Sequence, residues 1–69
     1  MRELPDPTTD RIVNARKQAG LTQAAAAGLV HLRHAIRWSE YERGVNGMPL
    51  ATWELFLYKT GQLELVVAQ

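Results

Sequence analysis

The sequence predicts an all-α domain built from four or five short helices. Apolar residues recur at helical spacing in four separate segments. Glycines and a proline fall at the ends of those segments, where helices start and stop. A run of alanines, Ala24 to Ala27, adds high intrinsic helix propensity.

Pro5 and Pro7 hold the first residues extended, and Thr8-Thr9-Asp10 supplies an N-cap for the first helix. Ile12, Val13, Ala15, Arg16 and Ala19 follow at helical spacing, and Gly20 suits the C-terminal stop. Leu21 leads into Thr22, the N-cap candidate of a second helix that runs through the alanines. Gly28 lies inside that helix at a cost of about 1 kcal/mol relative to alanine, and such a residue often marks the close approach of another backbone. Leu29, Val30 and Leu32 close the segment on its apolar face. A third helix is expected to start near Arg33 or His34, with Ala35, Trp38 and Tyr41 on one face and Glu42 a further candidate for it. Arg33, Arg37, Glu40 and Arg43 point elsewhere; Gly44 ends the helix, and Val45-Asn46-Gly47 forms a loop. Pro49 reads as the first residue of a fourth helix, whose stripe is Leu50, Trp53, Phe56, Leu57 and Thr60 and whose stop is Gly61. The tail QLELVVAQ suits either a short strand or a helical turn. The chain thus divides into an extended arm (1–8), a helical domain (9–61) and a tail (62–69).

A chain of 69 residues buries only about 60% of the surface that its unfolded form exposes, so a stabilising supplement is expected. It has no cysteine, which removes disulfides and thiolate metal sites and leaves a second copy of the chain as the simplest supplement. With 46% hydrophobic and 22% charged residues the composition is that of an ordinary globular protein. No apolar run reaches the roughly 18 residues needed to span a bilayer, and MRELPDPTTD is too acidic and polar for a signal peptide. A cytoplasmic protein without membrane contact is expected. The net charge of +1 conceals a distribution: residues 11 to 47 hold six cations against Glu40 and Glu42, whereas both flanks are slightly negative. A basic centre hints at a polyanionic partner.

Catalytic chemistry finds little support in the residues. His31 and His34 are three apart and could share a helical face, but a zinc site needs further ligands, and neither cysteine nor HExxH is present. Glu40 and Glu42 are two apart, so on a helix they diverge and do not make a close carboxylate pair. The glycines match neither common phosphate-cradling spacing. The chain is also too short to enclose a pocket of typical size, about 300 Å³ or more, together with a core. No enzyme activity, metal, cofactor or small-molecule ligand is expected.

The run GLTQAAAAGLVHLRHAIRWSEYERG, residues 20–44, reads best as a helix-turn-helix. In that motif small residues let one helix cross close to another, and the second helix carries long polar side chains into the major groove. ARKQAGLTQ followed by WSEYERG resembles the DNA-binding domain of the Cro/cI (lambda-repressor-like, XRE-type) family, over residues 11 to about 60. The GLTQ and E-x-G elements carry the resemblance. MPLATWELFLYKTGQ is similar to small phage and mobile-element regulators of this group, including those encoded beside anti-CRISPR genes. The chain departs from the family in holding one residue more between Gln23 and Glu42. HLRHA must absorb it, as a longer turn or as a later start to the third helix. The usual turn glycine is also missing, with His31 near its place.

Carried over by residue, the resemblance gives Gln23 a phosphate contact and a buttressing role beneath the recognition helix. Free N–H groups at a helix start give that contact a physical basis. It sets Arg33, His34, Arg37 and Glu40 on the outward face of the third helix. Arginine is the commonest bidentate reader of guanine, and glutamate can accept from cytosine. Arg43, at the C-terminal end, suits phosphate. Arg16 and Glu42 match a family pair that forms an internal salt bridge, and are structural. Trp38 and Tyr41 read as core, and Trp53, Phe56 and Leu57 as core or dimer surface. Arg11 and Lys17 belong either to a solvated face or to the phosphate contacts.

The resulting expectation is a sequence-specific regulator of transcription, a homodimeric repressor of phage or mobile-element type. It would read an inverted repeat in double-stranded DNA, using the fourth helix and the LELVV tail as dimer surface. The alternative from another class is a protein-interaction module of the same fold, such as an antitoxin-like partner.

Overall fold

Four helices organise the described residues, Leu4 and 6–63, of the computed structural model: α1 (Thr9–Gln18), α2 (Gln23–Leu29), α3 (Ala35–Arg43) and α4 (Leu50–Lys59). No strand occurs among the described residues, so the domain is all-α. Residues 64–69, and with them the choice between strand and turn for the tail, lie outside that range.

Threonine hydroxyls start the first two helices. Thr8 Oγ1 accepts the Arg11 amide at 3.3 Å and Thr22 Oγ1 the Ala25 amide at 3.1 Å, each satisfying a donor that an isolated helix leaves free. Pro49 differs from expectation by one place. Its ψ of 145° is extended, so it is the N-cap of α4 and not its first residue, while its carbonyl accepts the Trp53 amide at 3.0 Å.

All four helices stop by one device, a left-handed residue flanked by a pair of reversed backbone bonds. Gly20 and Leu21 close α1 on Lys17 O and Arg16 O, and Gly44 and Val45 close α3 on Tyr41 O and Glu40 O. Gly61 and Gln62 do the same for α4 on Tyr58 O and Leu57 O. At the end of α2 the left-handed residue is His31, φ 65°, whose amide meets Gly28 O at 3.2 Å while Leu32 N–H meets Ala27 O at 2.9 Å. His31 thus takes the place that glycine holds in the other three stops.

The core comprises Ile12 and Ala15 of α1, Ala26 and Ala27 of α2, Val30, Trp38 and Tyr41 of α3, Met48, and Trp53, Phe56 and Leu57 of α4. Full burial of a side chain such as Phe56 or Leu57 is worth about 1.5–3 kcal/mol. α3 packs against both α1 and α2, and α4 packs against α2. The Trp38 and Phe56 rings lie 4.8 Å apart, which joins α3 to α4. Ala26 and Ala27 present almost no bulk on the buried side of α2, and both are covered. The alanine half of the motif is therefore thin where another helix crosses it. Leu4 packs on this core from ahead of α1, and Gln62 Nε2 donates to Ala15 O at 3.0 Å, tying the chain after α4 back to α1.

Two further readings of single residues are corrected. Leu50 does not join the buried stripe of α4; it is 56% exposed in the first turn. Gly28 is exposed, and a Cβ built on it meets nothing within 4 Å, so no backbone comes close there. Its small size answers no packing need, and substitution acts through helix propensity alone. Gly28→Ala is expected to stabilise the domain by about 0.5–1 kcal/mol, read as a rise in thermal midpoint of roughly 4–8 °C per kcal/mol. A fall in the midpoint would contradict the open space at this position.

Candidate nucleic-acid interface

The inner side of α3 is fixed by one carboxylate. Glu42 accepts from Arg16 through both Nε and Nη2, from Gln23 Nε2 at 2.9 Å and from Trp38 Nε1 at 2.6 Å. Arg16 also donates to Leu21 O at 3.0 Å, so α1, the α1–α2 turn, α2 and α3 meet at one point. The side chains of Glu42 and Arg16 are only 7% and 17% exposed. Burial pushes the Glu42 carboxyl up, but the hydrogen bonds from Arg16, Gln23 and Trp38, with the Arg16 charge, outweigh it and hold its pKa below the ordinary carboxylate value.

Trp38 and Tyr41 point into the core on the same side, their rings meeting edge to face at 6.5 Å. The opposite face is left to solvent, with Ile36, Arg37 and Arg43 all exposed. Arg37 Nη1 lies 3.6 Å from Glu40 Oε1, and Asn46 Nδ2 donates to that same oxygen at 3.1 Å. Glu40 is thus held by the loop after α3 and restrains Arg37 in turn. Arg43 Nε donates to Ser39 Oγ at 3.1 Å and leaves the rest of its guanidinium outward.

Arg33 and His34, expected on the third helix, both precede it. Arg33 lies in the turn, and His34 is the N-cap of α3, extended at φ −134° and ψ 139° with no side-chain cap bond. The physical reason is the His31 stop: once the chain has turned left-handed there, Leu32 folds back toward the core before a new helix can begin. Within HLRHA, only Ala35 belongs to α3. Both side chains remain exposed next to the N-terminal end of α3.

Gln23 is half-buried and donates one amide N–H to Glu42, which joins the start of α2 to α3. His31 Nε2 faces Lys59 Nζ at 3.3 Å, and that ammonium also donates to Leu29 O at 2.7 Å. Among the described residues no cluster of His, Asp or Glu is placed to hold a metal ion, and no helix is long and apolar enough to cross a membrane. Sequence reasoning passed over Asn46 and Ile36. Nothing in a loop asparagine announces its reach back across Gly44 to Glu40. Ile36 carries a signal of its own, a large apolar residue beside Arg37 on the side of α3 away from Trp38 and Tyr41. No protein-family model matches this chain, and no curated protein matches it.

Proposed function

We propose that this chain is a sequence-specific regulator of the Cro/cI type that binds double-stranded DNA as a homodimer, inserts α3 in the major groove and represses transcription. One observation carries the reading. α3 is pinned from behind by the Glu42 cluster, while Arg33, Arg37 and Arg43 stand exposed in and around it. A helix pinned from behind with exposed guanidinium groups on its outer side suits groove reading, because arginine can bond guanine O6 and N7 together. Arg37 fits a base contact, with Glu40 setting its direction. Arg43, His34, Gln23 and the exposed Arg11 and Lys17 fit the phosphate contacts around it. A second copy would cover the outer side of α4, where Tyr58 is exposed beside Leu55 and Leu63 and Leu50 is exposed in the first turn. Repression of its own operon, as in phage and mobile-element regulators, needs nothing beyond binding over a promoter.

The test begins with the purified chain and a pool of random duplexes, sequencing those it retains. An inverted repeat with half-sites about 34 Å apart is expected. On that site the Arg33→Ala, Arg37→Ala double variant should bind at least ~30-fold more weakly, taking about 1 kcal/mol or more for each lost base contact. Affinity of the parent should fall steeply with salt. A folded double variant that binds as tightly as the parent would overturn the α3 assignment. Indifference to both salt and substitution would assign this face to a protein partner.

A further inference from the structure

Ile36 is the only large apolar side chain that α3 exposes, at 61%. Isolated apolar residues are ordinary on protein surfaces and carry no meaning by themselves. The place of this one is what matters. It is the second residue of α3, next to exposed Arg37 and three residues after Arg33, which lies exposed in the turn before the helix. The N-terminal end of a recognition helix is the part that reaches base edges. A β-branched side chain there also brings a restricted χ1, so little rotamer freedom is lost on contact.

We propose that Ile36 is a specificity-determining residue that packs on the 5-methyl group of a thymine, at or next to the base pair read by Arg37. This inference rests on the DNA-binding reading above and extends it to the base chemistry. The floor of the major groove is lined with hydrogen-bonding groups, and the thymine methyl is its one apolar feature. Isoleucine neither donates nor accepts, so set against guanine, cytosine or adenine it would bury their polar edges without partners, which is unfavourable. Against thymine it covers a methyl group. The side chain therefore discriminates in both directions, and the half-site should pair a guanine with a neighbouring thymine.

Deoxyuridine isolates the contact, because it keeps every hydrogen-bonding group of thymine and lacks only the methyl. Each thymine of the selected site is replaced singly by deoxyuridine, and affinity is titrated for the parent and for Ile36→Ala. The substitution site is exposed, and a thermal melt confirms that the variant folds. For the parent, one thymine per half-site should lower affinity about fourfold when its methyl is removed, from ~0.8 kcal/mol per buried carbon. In Ile36→Ala that same replacement should have no effect, while affinity for the thymine site is already reduced. Salt-dependent binding with no methyl dependence, a selected site without thymine, or a penalty that persists in full in Ile36→Ala would each overturn the Ile36 assignment alone. Absence of salt-dependent binding to any selected duplex would overturn the DNA-binding reading, and this inference with it.

Discussion

Replacing Glu42 by glutamine is expected to destabilise the domain by about 3–5 kcal/mol at neutral pH, the cost of removing one partner from a buried ion pair. The substitution is nearly isosteric, so no cavity contributes. What changes is charge: Arg16 stays largely covered with no counter-ion, and Gln23 and Trp38 then donate to a neutral acceptor in place of a carboxylate. For a chain of 69 residues the whole stability is about 3–10 kcal/mol, so the loss is a large share of it. The thermal midpoint should fall by at least ~12 °C, at roughly 4 °C or more per kcal/mol. The sign of the pH dependence follows from the depressed pKa of Glu42. Its contribution is fully present above the pKa of an unfolded glutamate and is lost as pH falls through the lower folded value. The gap between parent and Glu42→Gln should therefore be widest near pH 7 and narrow as the solution is acidified below about pH 4.3. Urea titrations of both proteins along that range measure it. A gap that stays constant into acid would show that the carboxylate charge is not what the cluster depends on.

The same cluster marks what the sequence could and could not disclose. Thr22, Gly20, Gly44 and Gly61, and the run Thr8-Thr9-Asp10 that holds the cap Thr8, are local signals, legible because capping depends on neighbours within five residues. The stop at His31 follows the same backbone rule but carries no glycine to announce it, so α3 begins at Ala35, later than periodicity alone indicates. Arg33 and His34 moved into the turn with that shift. Leu50 shows another limit, because periodicity gives an angle about the helix axis and not how far neighbouring helices extend along it. Glu42 combines both kinds of information. Its bond to Trp38 spans four residues and follows helical spacing, whereas its pairing with Arg16 joins residues 26 apart and was suggested by family resemblance alone.

Trp38 should prove as sensitive as Glu42, for two reasons that substitutions can separate. It is fully buried, packs on Tyr41 and Phe56, and gives its indole N–H to Glu42. Trp38→Ala removes both packing and donor, and is expected to cost about 3–5 kcal/mol, enough to leave much of the population unfolded at 37 °C. Trp38→Phe keeps an aromatic ring in the core but withdraws the donor from a charged acceptor, about 1.5–3 kcal/mol, besides a smaller loss of contact area. If the indole acts through the carboxylate, Trp38→Phe should cost less in a Glu42→Gln background than in the parent. Such coupling within one hydrogen-bonded network amounts to about 0.5–3 kcal/mol. Trp53 remains in every variant as a fluorescent reporter, so urea titration can follow the full cycle. Additive losses would mean that Trp38 serves only as core and that Glu42 orients α3 without it. Because Trp38 faces away from Arg37, Trp38→Phe measured well below its melting point should bind the selected DNA nearly as the parent does. Weak binding by a fully folded Trp38→Phe would instead show that the indole–carboxylate bond sets the angle at which α3 is presented, tying the buried cluster to recognition as well as to stability.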